Sequence, residues 1–257
     1  MLKHIVLVFA LFSLVLAGCS SSDAGVTPVD ITPGAEVSAI IIMDSSCRFC
    51  DDMTSVIADL KDNGGVKFKD VSAVDYATGD ASGFISRYDI HTVPAILLSR
   101  EIDSYPQHAS ELDASNLSPV GDFYVLMAPP INRDTETGDI RGMVNATFIV
   151  DASCSECFDV RMMRVLVERQ GVSIVAERTI EIASPSGEVM VSYYNITRIP
   201  TILLTGDLLA YPDFVRSWLT QVGTADPDNT LIFRNLAALG SNVAYRELPS
   251  GKIIKNT

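Results

Sequence analysis

The sequence predicts an α/β protein of two tandem domains, each a central mixed β-sheet flanked by helices. Three observations predict it. The chain repeats itself: "IIIMDSSCRFCDDM" at 40–53 returns as "TFIVDASCSECFDV" at 147–160, offset by 107 residues, and "YDIHTVPAILLS" at 88–99 returns as "YNITRIPTILLT" at 194–205, offset by 106. Tyr105-Pro106 recurs as Tyr211-Pro212, and "NRDTETGDI" at 132–140 is echoed more weakly by "YRELPSGKI" at 245–253. Within each copy, short apolar runs alternate with segments of helical periodicity, the pattern of strands and helices in one layered domain. Finally, each copy places Cys-x-x-Cys at the junction of an apolar run and a helical one. Two domains follow, 37–142 and 143–257.

The elements come in this order. Lys3 and His4 precede "IVLVFALFSLVLA", thirteen apolar residues, too few to span a bilayer but suited to the core of an export signal. "LAGC" at 16–19 resembles the lipobox of bacterial lipoproteins, whose signal is cut before a cysteine that is then lipidated. That resemblance implies a signal peptide over 1–18, a lipid on Cys19, and a mature protein anchored to a membrane on its extracytoplasmic side. "SSSDAGVTPVDITPGAE", rich in Ser, Pro and Gly, reads as a flexible tether over 19–36.

Each domain then opens with an apolar strand, Ala39–Met43 or Ala146–Val150, running into its cysteine pair. A helix follows, its apolar face set by Met53, Val56, Ile57 and Leu60 in the first copy and by Phe158, Met162, Val165 and Leu166 in the second. Gly64-Gly65 and Gly171 supply its stop. A β-rich segment ("VKFKDV"; "VSIVAERTIEI") precedes a second helix ending at Tyr88 or Tyr194, both read as packing residues. A Val-Pro or Ile-Pro step then leads into the strand "AILLS" or "TILLT". Each copy ends in a tail able to supply a sheet edge.

Setting aside Cys19, four cysteines remain: Cys47, Cys50, Cys154 and Cys157. Two close pairs in an oxidising compartment read as two disulfides or two dithiols. The segment "YNITRIPTILL" resembles the stretch around the cis-proline of thioredoxins, and the spacing from second cysteine to proline is thioredoxin-like, 44 residues to Pro94 and 43 to Pro200. Asp44 and Asp151, three residues before each first cysteine, and the aromatic in Cys-Arg-Phe-Cys resemble the periplasmic disulfide isomerases. The likeness spans about 60–70 residues of each half. It departs from thioredoxins in three ways. No strand–helix unit precedes Cys47, Ser46 and Ser153 stand where thioredoxins carry tryptophan, and Ile41 and Phe148 occupy the position of their buried acid.

The resemblance implies thioredoxin-like domains working by thiolate exchange, with no diffusible cofactor. A pair at a helix N-terminus makes Cys47 and Cys154 the exposed nucleophiles and sets Cys50 and Cys157 one turn further in, to resolve mixed disulfides. If Pro94 and Pro200 are cis, as in thioredoxins, the steps Val93–Pro94 and Ile199–Pro200 offer a backbone edge to a substrate strand. Arg48 favours thiolate at the first site; Glu156 opposes it at the second, partly offset by Arg198. Asp44 and Asp151 are either proton acceptors or loop and cap residues.

Charge excludes other classes. Without residues 1–18 the chain carries 18 basic and 32 acidic side chains, a balance that argues against nucleic acid as a partner. A Cys₄ zinc site across both pairs would need a gap of 103 residues, far longer than zinc ribbons use, so no metal is expected. His91 faces Thr197 in the duplication and reads as a rim residue, while Trp218 reads as core. The expected partners are cysteine-containing exported proteins and an unidentified membrane redox partner. The rival expectation is a non-catalytic peptide-binding lipoprotein whose disulfides are staples.

Overall fold

The computed structural model describes residues 34–114, 117–127, 130–241 and 243–256. The expected signal, Cys19 and all but the last residues of the tether lie outside them. Among the described residues no helix is long and apolar enough to cross a membrane.

The first half contains β1 (Val37–Met43), α1 (Thr54–Asp62), β2 (Phe68–Asp75), α2 (Ser82–Tyr88), β3 (Thr92–Val93), β4 (Ala95–Ser99), α3 (Pro106–Ala114), β5 (Phe123–Met127), β6 (Asn132–Asp134) and β7 (Ile140–Arg141). The second contains β8 (Val144–Val150), α4 (Met162–Glu168), β9 (Ile174–Glu181), α5 (Pro185–Tyr193), β10 (Arg198–Ile199), β11 (Thr201–Gly206), α6 (Pro212–Gln221), β12 (Gly223–Ala225), β13 (Leu231–Phe233), β14 (Ala244–Glu247) and β15 (Lys252–Lys255).

The sheets repeat as the sequence does. In the order β2-β1-β4-β5, β1 runs parallel to β2 and antiparallel to β4. In the order β9-β8-β11-β13-β12, β8 stands to β9 and β11 in the same relations. Even the register shift recurs, at Val37/Ser38 and at Val144/Asn145. Central strands are apolar on both faces because both are covered. Ile41, Ile96 and Leu98 pack with Met53 and Ile57 beside α1 and with Leu112 of α3, whereas Ile42, Ala95 and Leu97 face Tyr88 and the α2 side. In the second half Phe148, Ile202 and Leu204 meet Phe214 and Trp218, and Ile149 and Leu203 meet the α5 side. Each half thus carries a mixed sheet between helices, as the duplication predicts.

Each tail serves its own half. It supplies the strand next to β4 (β5, the edge of that sheet) or next to β11 (β13, with β12 beyond it at the edge), then a hairpin that pairs with the two residues before the proline: β3-β6-β7 and β10-β14-β15. Neither tail replaces the missing first strand, and β2 and β9 end their sheets. Those edges are polar and exposed, carrying Lys69, Asp70, Glu177 and Arg178, which discourages pairing with another chain. The Tyr-Pro repeat also finds its reason. The Tyr105 hydroxyl donates to the Ala35 carbonyl and accepts from Lys67 N–H, tying the chain before β1 to the chain before β2. Tyr211 makes the same bridge between Gly142 and Ser173.

One expected helix face is corrected. On α4, Met162, Val165 and Leu166 are exposed, and Met163 and Val167, with Val160 before the helix, face the core. The run "VRMMRVLV" is apolar in two helical phases, so periodicity could not select one.

Candidate active sites

Each site begins with a turn made by an aspartate. The Asp44 carbonyl accepts Cys47 N–H at 3.1 Å, and its Oδ1 accepts both Ser46 N–H (3.1 Å) and Ser46 Oγ–H (2.6 Å). Asp151 does the same for Cys154 (3.0 Å) and for Ser153, at 2.9 and 2.6 Å. This Asx turn reverses the chain as it leaves the strand. The strand that runs parallel helps hold it: Asp75 Oδ1 accepts from Ser45 N–H, and the Glu181 carboxylate from Ala152 N–H. The hydrogen bond from Ser45 holds the Asp75 carboxyl below its ordinary value.

The four cysteines close into two disulfides, Cys47–Cys50 and Cys154–Cys157, each with an S–S distance of 2.03 Å. Each pair therefore occupies its own sulfurs. Two expectations change here. The helices begin at Thr54 and Met162, beyond both cysteines of each pair, so neither pair sits on a helix N-terminus. Asp51 and Asp52 cause the delay in the first copy. Their carboxylates accept from Met53 and Thr54 N–H, and Met53 takes a left-handed φ of 61° before the helix can start. In the second copy Asp159 accepts from Arg161 N–H in the same role. The exposure order is also reversed: Cys47 and Cys154 are each only 6% exposed, whereas Cys50 and Cys157 are half-buried.

Both Val93–Pro94 and Ile199–Pro200 are cis. Val93 and Ile199 are fully buried, and the strands that carry them are paired with the tail, Val93 opposite Arg133 and Ile199 opposite Arg246. The edge expected to receive a substrate strand is thus taken, on that side, by the protein's own hairpin. Pro200 still reaches the surface of a cleft of about 280 Å³ at the second site, which it lines with Cys154, Cys157, Asp151, Phe158 and Thr179.

The hairpins bring two residues that the sequence reading did not select. Arg133 Nε donates to Asp44 Oδ2 at 2.7 Å, and its terminal nitrogens reach Ser46 Oγ (2.9 Å) and the Gly138 carbonyl (2.7 Å). Arg246 meets Asp151 Oδ2 at 3.0 Å. The signal existed: "NRDTETGDI" and "YRELPSGKI" align Arg133 with Arg246 at their second position. It was weak because only spatial proximity gives those arginines a role.

The remaining tuning candidates lie further out. Arg48 and Glu156 are exposed between their cysteines, and Arg48 lies over the Phe49 ring at 5.4 Å. Arg198 is exposed and lies over Tyr245 at 5.6 Å. Phe49, 43% exposed, lines a cleft of about 450 Å³ with Ile131, Glu168 and residues 171–175. His91 is exposed beside Asp89, and Trp218 is buried in the core, donating to the Ile232 carbonyl. Among the described residues, Asp44, Cys47 and Cys50 alone bring three potential ligand atoms within 4.8 Å of one another.

No family model matches this chain, and no curated protein does. Among solved structures it is similar to the NTD_N/C domain of the alkylhydroperoxide reductase AhpF from Enterococcus faecalis, at 12% identity over 66% of this chain and 82% of that one, with a TM-score of 0.20. It is also similar to the zinc-bound form of human ERp44, at 11% identity over 81% of this chain and 54% of that one, with a TM-score of 0.21. Likenesses at that level leave the reading of this chain to its own residues.

Proposed function

We propose that this protein is an extracytoplasmic, lipid-anchored thiol–disulfide oxidoreductase that oxidises, reduces or isomerises disulfides in cysteine-containing exported proteins. One observation carries the reading. The same assembly is built twice, with a disulfide between cysteines three apart, an aspartate turn ahead of it, and a cis-proline step leading into the strand that pairs with the one before the disulfide. A client thiolate attacks a protein sulfur; the protein S–S bond breaks, a mixed disulfide forms, and the departing sulfur takes the electron pair as thiolate. Attack by a second client thiolate, or by the freed cysteine, resolves the mixed disulfide. The chemistry needs no diffusible cofactor, and a membrane redox partner restores each pair.

The test is turnover of insulin reduction and of a scrambled disulfide substrate. Activity that disappears in Cys47→Ser/Cys154→Ser is the expected result. A second reading, in which both bridges are structural staples of a peptide-binding lipoprotein, draws on the low exposure of Cys47 and Cys154 and on the tail strands at β3 and β10. Absence of turnover, with reduction potentials below about −300 mV at both pairs, would decide for that reading.

A further inference from the structure

We propose that Arg133 and Arg246, carried on the tail hairpins, are positioning residues of the two redox sites. By pairing with the buried carboxylates of Asp44 and Asp151, they set how readily the neighbouring disulfides are reduced. The inference rests on both pairs being reducible, not on any client. Its basis is a constellation that the fold builds twice. Each arginine sits on the hairpin strand directly opposite the residue before the proline, in the same register in both halves. Each reaches back to the aspartate whose carbonyl holds the first cysteine of the pair.

The first site shows the full arrangement. The Asp44 side chain has no exposed surface and that of Arg133 is 16% exposed. Arg133, Asp44 and Ser46 form a closed ring, with Arg133 donating to both partners and Ser46 Oγ donating to Asp44. An Asp44 oxygen and both sulfurs lie within 4.8 Å of one another. At that range and with so little solvent, a carboxylate disfavours thiolate on either cysteine, and a paired guanidinium cancels that effect. The second site is the weaker version. Asp151 and Arg246 side chains are 5% and 26% exposed, and Arg246 Nε is buried without a partner.

The reaction that reads this is exchange with glutathione. Two glutathione thiols give up two electrons and two protons; the protein S–S bond breaks, a glutathione disulfide forms, and the protein holds one thiol and one thiolate, the group the neighbouring charges act on, with the second proton released to solvent. The experiment uses the full chain with the second pair silenced as Cys154→Ser/Cys157→Ser, equilibrated at pH 7 in glutathione buffers. Arg133→Met should lower the equilibrium constant for reduction about tenfold, about 30 mV for a two-electron couple. Asp44→Asn should raise it by a similar factor, and Arg133→Met/Asp44→Asn should return to within about threefold of the parent, as should Arg133→Lys. Opposite signs separate charge from mere damage to the loop, which would move both single variants the same way. Shifts of the same sign, or none beyond about twofold, overturn the proposal. If Arg133→Met does not fold, Asp44→Asn decides alone: a raised constant supports the proposal and an unchanged or lowered one overturns it. With the first pair silenced instead, Arg246→Met should move the second pair in the same direction by a smaller factor. An opposite sign or a larger factor there also overturns the proposal. Glutathione reports equilibrium alone, so failure here leaves the oxidoreductase reading standing, and absence of client turnover leaves this test intact.

Discussion

The two cysteine sites share a backbone frame and differ in what surrounds it. At the first, Asp44 is sealed by Arg133, Met53 holds a left-handed turn, and Phe49 projects into a cleft lined by residues of the second half. At the second, Phe158 N–H is tied to the Ala244 carbonyl of β14, and Arg161 holds the Asp159 carboxyl below its ordinary value. There the disulfide and Pro200 share the wall of an open cleft, and the helix that follows exposes Met162, Val165 and Leu166. The shared part is backbone geometry set by strand pairing and aspartate turns. The part that differs is charge and exposed apolar surface, which can change without disturbing the sheet. Two copies of one frame can therefore present two different environments to a thiol.

The comparison breaks first at the sulfurs. In chains that keep only one pair, Cys47→Ser or Cys154→Ser should each lower insulin-reduction turnover at least a hundredfold, about 2.7 kcal/mol of barrier. Residual turnover at either site would mean that its second cysteine works alone.

The cores come next. Leu112 on α3 and Trp218 on α6 are counterparts in the duplication, and both are buried. Urea unfolding should show Trp218→Ala costing about 4 kcal/mol and Leu112→Ala about 3 kcal/mol. Equal losses at both would mean that the larger ring is less well packed than its burial suggests.

Neighbouring methionines on α4 sharpen the helix phase. Met163→Ala should cost about 2–3 kcal/mol. Met162→Ala, 69% exposed, should change stability by less than about 0.5 kcal/mol.

The junction of the halves gives a pH-dependent effect. Asp207 accepts from Arg141 Nε at 2.6 Å and from Gly142 N–H at 3.0 Å. The Arg141 guanidinium, assisted by Gly142, holds the Asp207 carboxyl below its ordinary value. Gly142 itself has a φ of +79°, and a side chain there would run into the Pro130 carbonyl. A carboxyl with a depressed folded pKa contributes stability that is complete above its unfolded value, about 3.9, and is lost as pH falls through the folded value. Asp207→Asn should thus cost about 1 kcal/mol at pH 7, and the gap to the parent should close below about pH 4. A gap that stayed constant down to pH 2 would assign the effect to packing.

The smallest effect belongs to the charges between the cysteines. Arg48→Glu and Glu156→Arg act on exposed side chains, so each should move the glutathione equilibrium by less than about threefold, shrinking further in 1 M salt. A larger, salt-resistant shift would put these residues ahead of Arg133 and Arg246 in tuning the sites.

Much of the fold was legible because the duplication repeats the residues that make strands and turns. "AIIIM", "TFIV", "AILLS" and "TILLT", short apolar runs that recur in both copies between helical segments, read as strands covered on both faces. The helix start after each pair was less legible. Asp51, Asp52 and Asp159 compete for backbone N–H groups and postpone it, an effect that hydrophobic periodicity does not register. The phase of α4 was hidden by apolar residues on two faces, and the partners of the tails by their long separation in sequence.

Sequence alone determined the two-copy α/β plan, the grouping of four cysteines into two close pairs, and the X-Pro step about 44 residues after each, because these depend on local spacing and on which residues avoid water. Tertiary structure decided which cysteine is buried, which edge of the proline strand is occupied, and which cation neutralises each aspartate. Those outcomes depend on strands β6 and β14 folding back across 89 residues from Asp44 to Arg133, and a similar span from Asp151 to Arg246; the repeat aligns the two arginines with each other, but only folding shows which aspartate each one meets.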